Sequence, residues 1–151
     1  MTPPTTPRAH RRDERGSAVV EFVTLGVLLL VPLVYLVMAL ARVQAGAFAV
    51  SQAARESGRA FVTTDAGQDA TARARAAAAV AFADHRFEEV GTLELVCDGT
   101  PCLRPDGRVR TTATVRVPLP LVPAFVRDAV PASIPVSASQ VSTVDRFRVL
   151  P

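Results

Sequence analysis

Apolar and polar positions follow three different patterns along this chain. From Val23 to Ala41 no residue is charged, and Leu and Val dominate. As a helix rising 1.5 Å per residue that stretch reaches roughly 28 Å, close to the hydrocarbon thickness of a bilayer, so it reads as a membrane-spanning segment. Beyond Arg42 the residues become small and amphipathic, with Val43, Ala47, Val50, Ala54 and Phe61 near helical spacing and no proline before Val62. One helix is therefore expected from Ser17 to about Val62, roughly 69 Å long at the same rise. That exceeds what a membrane needs, so its outer half must be covered by other parts of the chain.

The segment "TTDAG" supplies a stop, after which Asp65 or Asp69 can cap a second helix from Ala70 to about Phe87. This segment is dense in Ala and Arg, with Val80 and Phe82 as its larger apolar residues, and its shallow apolar face needs a partner. The last third alternates with period two. "GTLELVC" alternates through Leu93 and Leu95. "RVRTTATVRVPL" places Val109, Thr111, Ala113, Val115, Val117 and Leu119 on one face and Arg108, Arg110, Thr112, Thr114 and Arg116 on the other. The turn-rich loop "CDGTPCLRPDG" joins these two as a hairpin. "LPLVPAFVRDAVPAS" reads as a proline-punctuated connection with one short helical turn, and "IPVSASQVSTVDRF" as a third, less regular strand. The expected class is α+β: a long N-terminal membrane-spanning helix continuing into a small domain with a second helix and an antiparallel sheet of three or four strands. The outer half of the first helix lies across that sheet. The expected divisions are a leader at 1–16, a membrane helix at 17–41 and a domain at 42–151.

Length and charge narrow the function. A chain of 151 residues holds one ordinary core. After the membrane segment is set aside, the remainder has few aromatics and no Trp, so its stability margin should be thin. The pI is near 9.6 and the formal charge +3, but every one of the 17 basic residues is Arg and they are spread along the chain. Nucleic-acid binding needs a concentrated basic patch and is not expected. The one local excess is Arg8, Arg11, Arg12 and Arg15 against Asp13 and Glu14, directly before the apolar span. By the positive-inside rule it holds the N-terminus in the cytoplasm and sends the domain to the other side.

Cys97 and Cys102 are the only cysteines. Four intervening residues that include Gly and Pro let the chain fold back, and an oxidising compartment favours a disulfide between them. Closing so short a loop contributes roughly 2 kcal/mol at most, enough to stiffen a hairpin tip. A zinc site would need about four ligands, which His85 cannot complete. No nucleophile elbow, phosphate loop or metal run is present, and Glu88 and Glu89 beside Arg86 read as a solvated helix end. An enzyme is not expected, and neither is a cofactor. Pro32 removes a helical hydrogen bond to the Leu28 carbonyl and should kink or loosen the span, at about 3 kcal/mol unless neighbours satisfy the freed group.

Glu21 stands out, an ionisable carboxylate at the start of the apolar run. A charge at the centre of a membrane helix costs about 2.5 to 3.5 kcal/mol, and less near the interface. Either Glu21 reaches back to the headgroups with Ser17 as helix cap, or a cation meets it in an assembled state. Cleavage between Gly16 and Ser17 would create that cation, since a new α-amino group is protonated below a pKa of about 8.

Gly16, the stretch Ser17 to Val20, Glu21 and Phe22, preceded by Arg15 and followed by an apolar helix, resemble the prepilin-peptidase processing signature of type IV pilin-like proteins. Within that group "RGSAVVEFVTLGVLLLVPL" and "AVSQAARESGRAF" resemble the TadE-like family of tight-adherence (Flp) pilus assembly pseudopilins, over roughly Arg12 to Phe61. The resemblance implies a minor pilin or pseudopilin. Its expected partners are a prepilin peptidase cutting after Gly16, other pilin subunits, the Tad assembly machinery and membrane lipid. It also implies that Glu21 pairs with the N-terminal amine of a neighbouring subunit. Two alternatives predict other mature N-termini: a secreted domain whose signal peptide is cut after Ala41, in an Ala-x-Ala site, and an uncut membrane-anchored binding domain.

Overall fold

The computed structural model describes residues 15–65, 67–87, 91–120 and 133–148. It has an α+β architecture with α1 (Arg15–Val62), α2 (Ala70–Asp84), β1 (Gly91–Cys97), β2 (Arg108–Pro118) and β3 (Ser133–Thr143). The chain divides into two compact units, Met1–Val37 and Met38–Pro151.

In the first unit α1 is an uninterrupted α-helix through Pro32. It is long and apolar enough to cross a membrane. Its large aliphatic side chains from Val19 to Val37, and Phe22, are exposed in the isolated chain. The described helix takes in Arg15 and Gly16, ahead of the expected start at Ser17. Ser17 lies within the first described turn.

The second unit is built on the antiparallel sheet, ordered β1-β2-β3. β1 and β2 form the expected hairpin, with Gly91 opposite Val115 and Cys97 opposite Val109. β3 pairs with β2 along its whole length, from Arg108 opposite Thr143 to Pro118 opposite Ser133. Its pairing is regular although its apolar pattern is not. An edge strand with a partly covered face needs little alternation, and Ile134 on the core side stays 40% exposed. Leu119 lies just past the end of β2. Most of the proline-rich connection, 121–132, and the acidic pair Glu88 and Glu89 lie outside the described residues.

The middle strand carries the core: Val109, Thr111, Ala113, Val115 and Val117 are fully buried. Against Ala113, Val115 and Val117 pack Ala49, Val50, Ala53 and Ala54 of α1 and Ala78, Ala81 and Phe82 of α2. The buried face of α1 runs Gly46, Ala49, Val50, Ala53, Ala54, Ser57, Gly58, Phe61, a repeat of three and four. Ala47, expected on this face, is exposed, and so is Val80 on α2. Small residues in both helices bring backbone close to the sheet. A Cβ on Gly46 would collide with Val117 Cγ2, and one on Gly58 would sit 2.5 Å from Ser142 Oγ. Ser57 sits in this seam with its hydroxyl donating back to the Ala53 carbonyl, while Thr111 Oγ1 has no partner among the described residues.

Polar contacts set the end of α1 and the start of α2. The last four carbonyls of α1 are all used: Arg59 O by Thr63, Ala60 O by the Thr64 hydroxyl at 2.6 Å, Phe61 O by Thr64 N at 3.3 Å, and Val62 O by Arg148 Nη1 at 2.9 Å. Arg148 Nη2 also donates to Thr64 O. A cation at the carbonyl end of a helix is favoured by the dipole as well as by its hydrogen bonds. Arg148→Met keeps the aliphatic stem and removes both bonds; it should lower the stability of this unit by about 1 to 2 kcal/mol. Faster amide exchange near Thr64 would register that change, and unaltered exchange would refute it.

Asp69, not Asp65, caps α2, its carboxylate accepting from Ala72 N at 3.0 Å. The helix stops at Asp84, three residues short of the expected Phe87. Arg86 adopts a φ of 61°, and the bonds Arg86 N to Ala83 O and Phe87 N to Phe82 O close a Schellman turn. Phe87 then folds back into the same core as Phe82.

Candidate functional site

The residues singled out in the sequence fall in two separate places. Gly16, Ser17, Glu21 and Phe22 all lie in the first two turns of α1. Glu21 is exposed and no described cation lies within ion-pair distance of it; Phe22 is 78% exposed. Thr24, one turn after Val20, hides its hydroxyl by donating to the Val20 carbonyl at 2.7 Å, a common way for a threonine to sit in an apolar helix. Ser17 and Glu21 are four residues apart, on one helix face and separated by about 6 Å of rise. The face therefore presents a carboxylate one turn inside the position where cleavage after Gly16 would place an ammonium. Nothing else charged follows until Arg42.

The second place is the hairpin tip. Cys97 and Cys102 form a disulfide with a Cα–Cα distance of 5.4 Å. It fastens the end of β1 to the loop, and the loop is held further by Asp98 with Arg104 at 3.0 Å and by Gly107 N to Arg104 O at 2.9 Å. Both cysteines and Leu103 pack against Phe61, Ala70, Ala74 and Val109, so the bridge also anchors the tip to the end of α1 and the start of α2. An open cleft of about 560 Å³ lies beside it, lined by Phe61, Ala70, Thr71, Leu103 and Arg148 among others. It is mostly apolar and gathers no nucleophile with a base.

Among the described residues no three His, Cys, Asp or Glu side chains converge as metal ligands. His85 ends α2 and contacts Gln52 Oε1 through Nε2 at 3.3 Å.

Two structural determinants of the domain have no local signature in the sequence. The seam glycines Gly46 and Gly58 were legible only as part of a small-residue repeat, which does not say what approaches them. Arg148 carried no signal, because its partner carbonyls lie 86 and 84 residues earlier. No protein-family model, no curated protein and no solved structure matches this chain.

Proposed function

We propose that this chain is a non-catalytic minor pilin or pseudopilin of a tight-adherence type IV pilus system. In this reading it is made as a single-pass membrane precursor with its N-terminus in the cytoplasm and its domain outside. A prepilin peptidase cuts it after Gly16, and the mature subunit assembles with other pilin subunits and the Tad machinery through α1. The observation that carries the reading is the string Arg15-Gly16-Ser17 to Glu21-Phe22 at the head of a helix whose large apolar side chains up to Val37 are exposed.

The physical case has two parts. Exposed Leu, Val and Phe over a stretch of this length require lipid or the helices of other subunits. Cleavage exchanges the polar leader for one ammonium, and Glu21 supplies the opposite charge. Buried separately, each ion loses several kcal/mol of hydration; buried together with hydrogen bonds, the loss is largely offset. If two parallel subunits pair in this way, the amine of one meets the carboxylate of the other when they are staggered by about 6 Å, four residues of rise.

The mature N-terminus tests this. Intact mass of protein recovered from membranes should correspond to a chain starting at Ser17. A start at Arg42 would replace the proposal with a secreted domain, and a start at Met1 with an uncut anchor. Gly16→Val puts a branched side chain where the cut requires a minimal one, so its leader should remain attached. Normal removal of the leader from that variant would count heavily against a prepilin-type cut.

A further inference from the structure

The face of the sheet turned away from α1 and α2 takes no part in the function proposed above. Its middle strand presents five outward side chains in a row: Arg108, Arg110, Thr112, Thr114 and Arg116. Successive members stand two residues apart, about 7 Å along the strand. Every one of the five can donate hydrogen bonds. The three guanidinium groups are exposed, and no described carboxylate lies within ion-pair distance of them. More hydroxyls flank the row, Thr92 opposite Thr114 on β1, and Ser137 and Ser139 opposite Thr114 and Thr112 on β3. Thr112 and Ser139 already share a hydrogen bond at 3.1 Å, which leaves one of the two protons to point outward.

The neighbours of the row sharpen the picture. Val96 and Val141 flank Arg110 and are 51% and 42% exposed. With Arg108, Arg110 and Asp98 they line a shallow cleft of about 260 Å³. Asp98 is engaged by Arg104, so it does not neutralise the arginines of β2. Glu94, opposite Thr112, is the one acidic side chain of this face without such a partner among the described residues. No aromatic residue stands on the outward positions of the three strands, so nothing there can stack a nucleobase or a sugar ring.

The geometry points to a docking surface for a linear polyol phosphate, an extended polymer of short carbon polyols joined by phosphodiesters. Six single bonds separate successive phosphorus atoms through a three-carbon polyol, and six extended backbone bonds reach about 7 Å, as two residues of a strand do. The polymer laid along β2 therefore brings one phosphate to each donor in turn. Guanidinium forks take the phosphates at Arg108, Arg110 and Arg116, and hydroxyls take those between. The valines beside Arg110 receive the polyol carbons. This surface is independent of how the N-terminus is processed.

The test uses the full chain in nanodiscs of zwitterionic lipid, with poly(glycerol phosphate) as the probe. Binding should weaken roughly twentyfold between 50 and 200 mM salt, as expected for about three single-strand phosphate contacts. The triple variant R108Q/R110Q/R116Q changes only exposed side chains and should bind at least tenfold more weakly. R73Q/R75Q on the exposed side of α2 should bind as the parent does. The leader arginines are present in every protein compared, so they cannot produce a difference. Parental binding by the triple variant, an equal loss in the α2 variant, or the absence of salt dependence would overturn the proposal. So would binding as tight to a polyuronate, or to single-stranded DNA with the same number of phosphates.

Discussion

Gly46→Val should loosen the helix from the sheet and lower the stability of the C-terminal unit by about 3 kcal/mol. Two effects oppose each other at this position. Valine has a better helix propensity than glycine by a few tenths of a kcal/mol, which favours the variant. Against it, any Cβ at residue 46 overlaps Val117 Cγ2, and Val115 Cγ1 stands 3.5 Å away. Both valines are fully buried and β-branched, so neither can swing aside. Overpacking of this kind costs about 1 to 3 kcal/mol and more when backbone must move, which here means shifting α1 off the sheet. Steric cost wins by several-fold.

Amide exchange in β2 reads the effect directly, since each 1.4 kcal/mol is about a factor of ten in opening. A loss of protection of roughly a hundredfold is expected at Ala113 to Val117. Gly46→Ala should fall between variant and parent, because the gain of about 1 kcal/mol in helix propensity offsets part of the clash. Gly26→Ala is the control. Nothing lies within 4 Å of a Cβ there, so the substitution should be neutral or slightly stabilising. Parental protection in Gly46→Val would mean that α1 does not approach β2 as closely as its seam implies.

Glu21→Gln separates processing from assembly. The variant keeps Gly16 and the size of the side chain, so the leader should be removed and the mass should still correspond to a Ser17 start. Assembly should then fail. Removing one partner from a buried ion pair costs about 3 to 5 kcal/mol, because the remaining charge is left uncompensated. Each subunit contact would weaken more than a hundredfold by the same conversion. The measurement is the fraction of mature chain recovered in sedimented fibres or copurified with other subunits. Co-expression with the parent adds a second readout: the Glu21→Gln chain still offers its amine, so it should enter assemblies next to a parental chain and not next to itself. Unimpaired assembly of Glu21→Gln alone would remove any need for the charge pair.

Several elements could be read from residue order because the signals are local. The uncharged run from Val23 to Ala41, the alternation from Val109 to Val117 and the Gly/Pro-containing cystine loop each state their own conformation. The hairpin follows from two alternating segments joined by turn formers, and its register places Cys97 opposite Val109. Other features were not local. α2 was expected to run on to Phe87 because the left-handed residue that stops it is Arg86, where a glycine would have announced the turn. Ala47 and Ala49 are equally good helix formers, and only the position of the sheet decides that Ala49 is buried and Ala47 exposed. Of the candidate assembly residues, sequence supplied the identities and the spacing. The chain by itself could not supply the partner, since an intermolecular charge pair has no trace in one subunit.

Sequence alone determined that this protein has an apolar helix fit for a membrane, a basic N-terminal segment followed by a glycine and a glutamate, and an antiparallel hairpin closed by two cysteines. Those properties depend on side-chain polarity and backbone preference over a few neighbouring residues. Tertiary structure decided which small residues of α1 meet Val115 and Val117, that Arg148 completes a helix ended more than eighty residues earlier, and that the Arg and Thr side chains of β2 stand as one uncovered row. These depend on close packing between segments remote in the chain, where the choice of neighbour is made by volume and by unpaired polar groups rather than by local pattern.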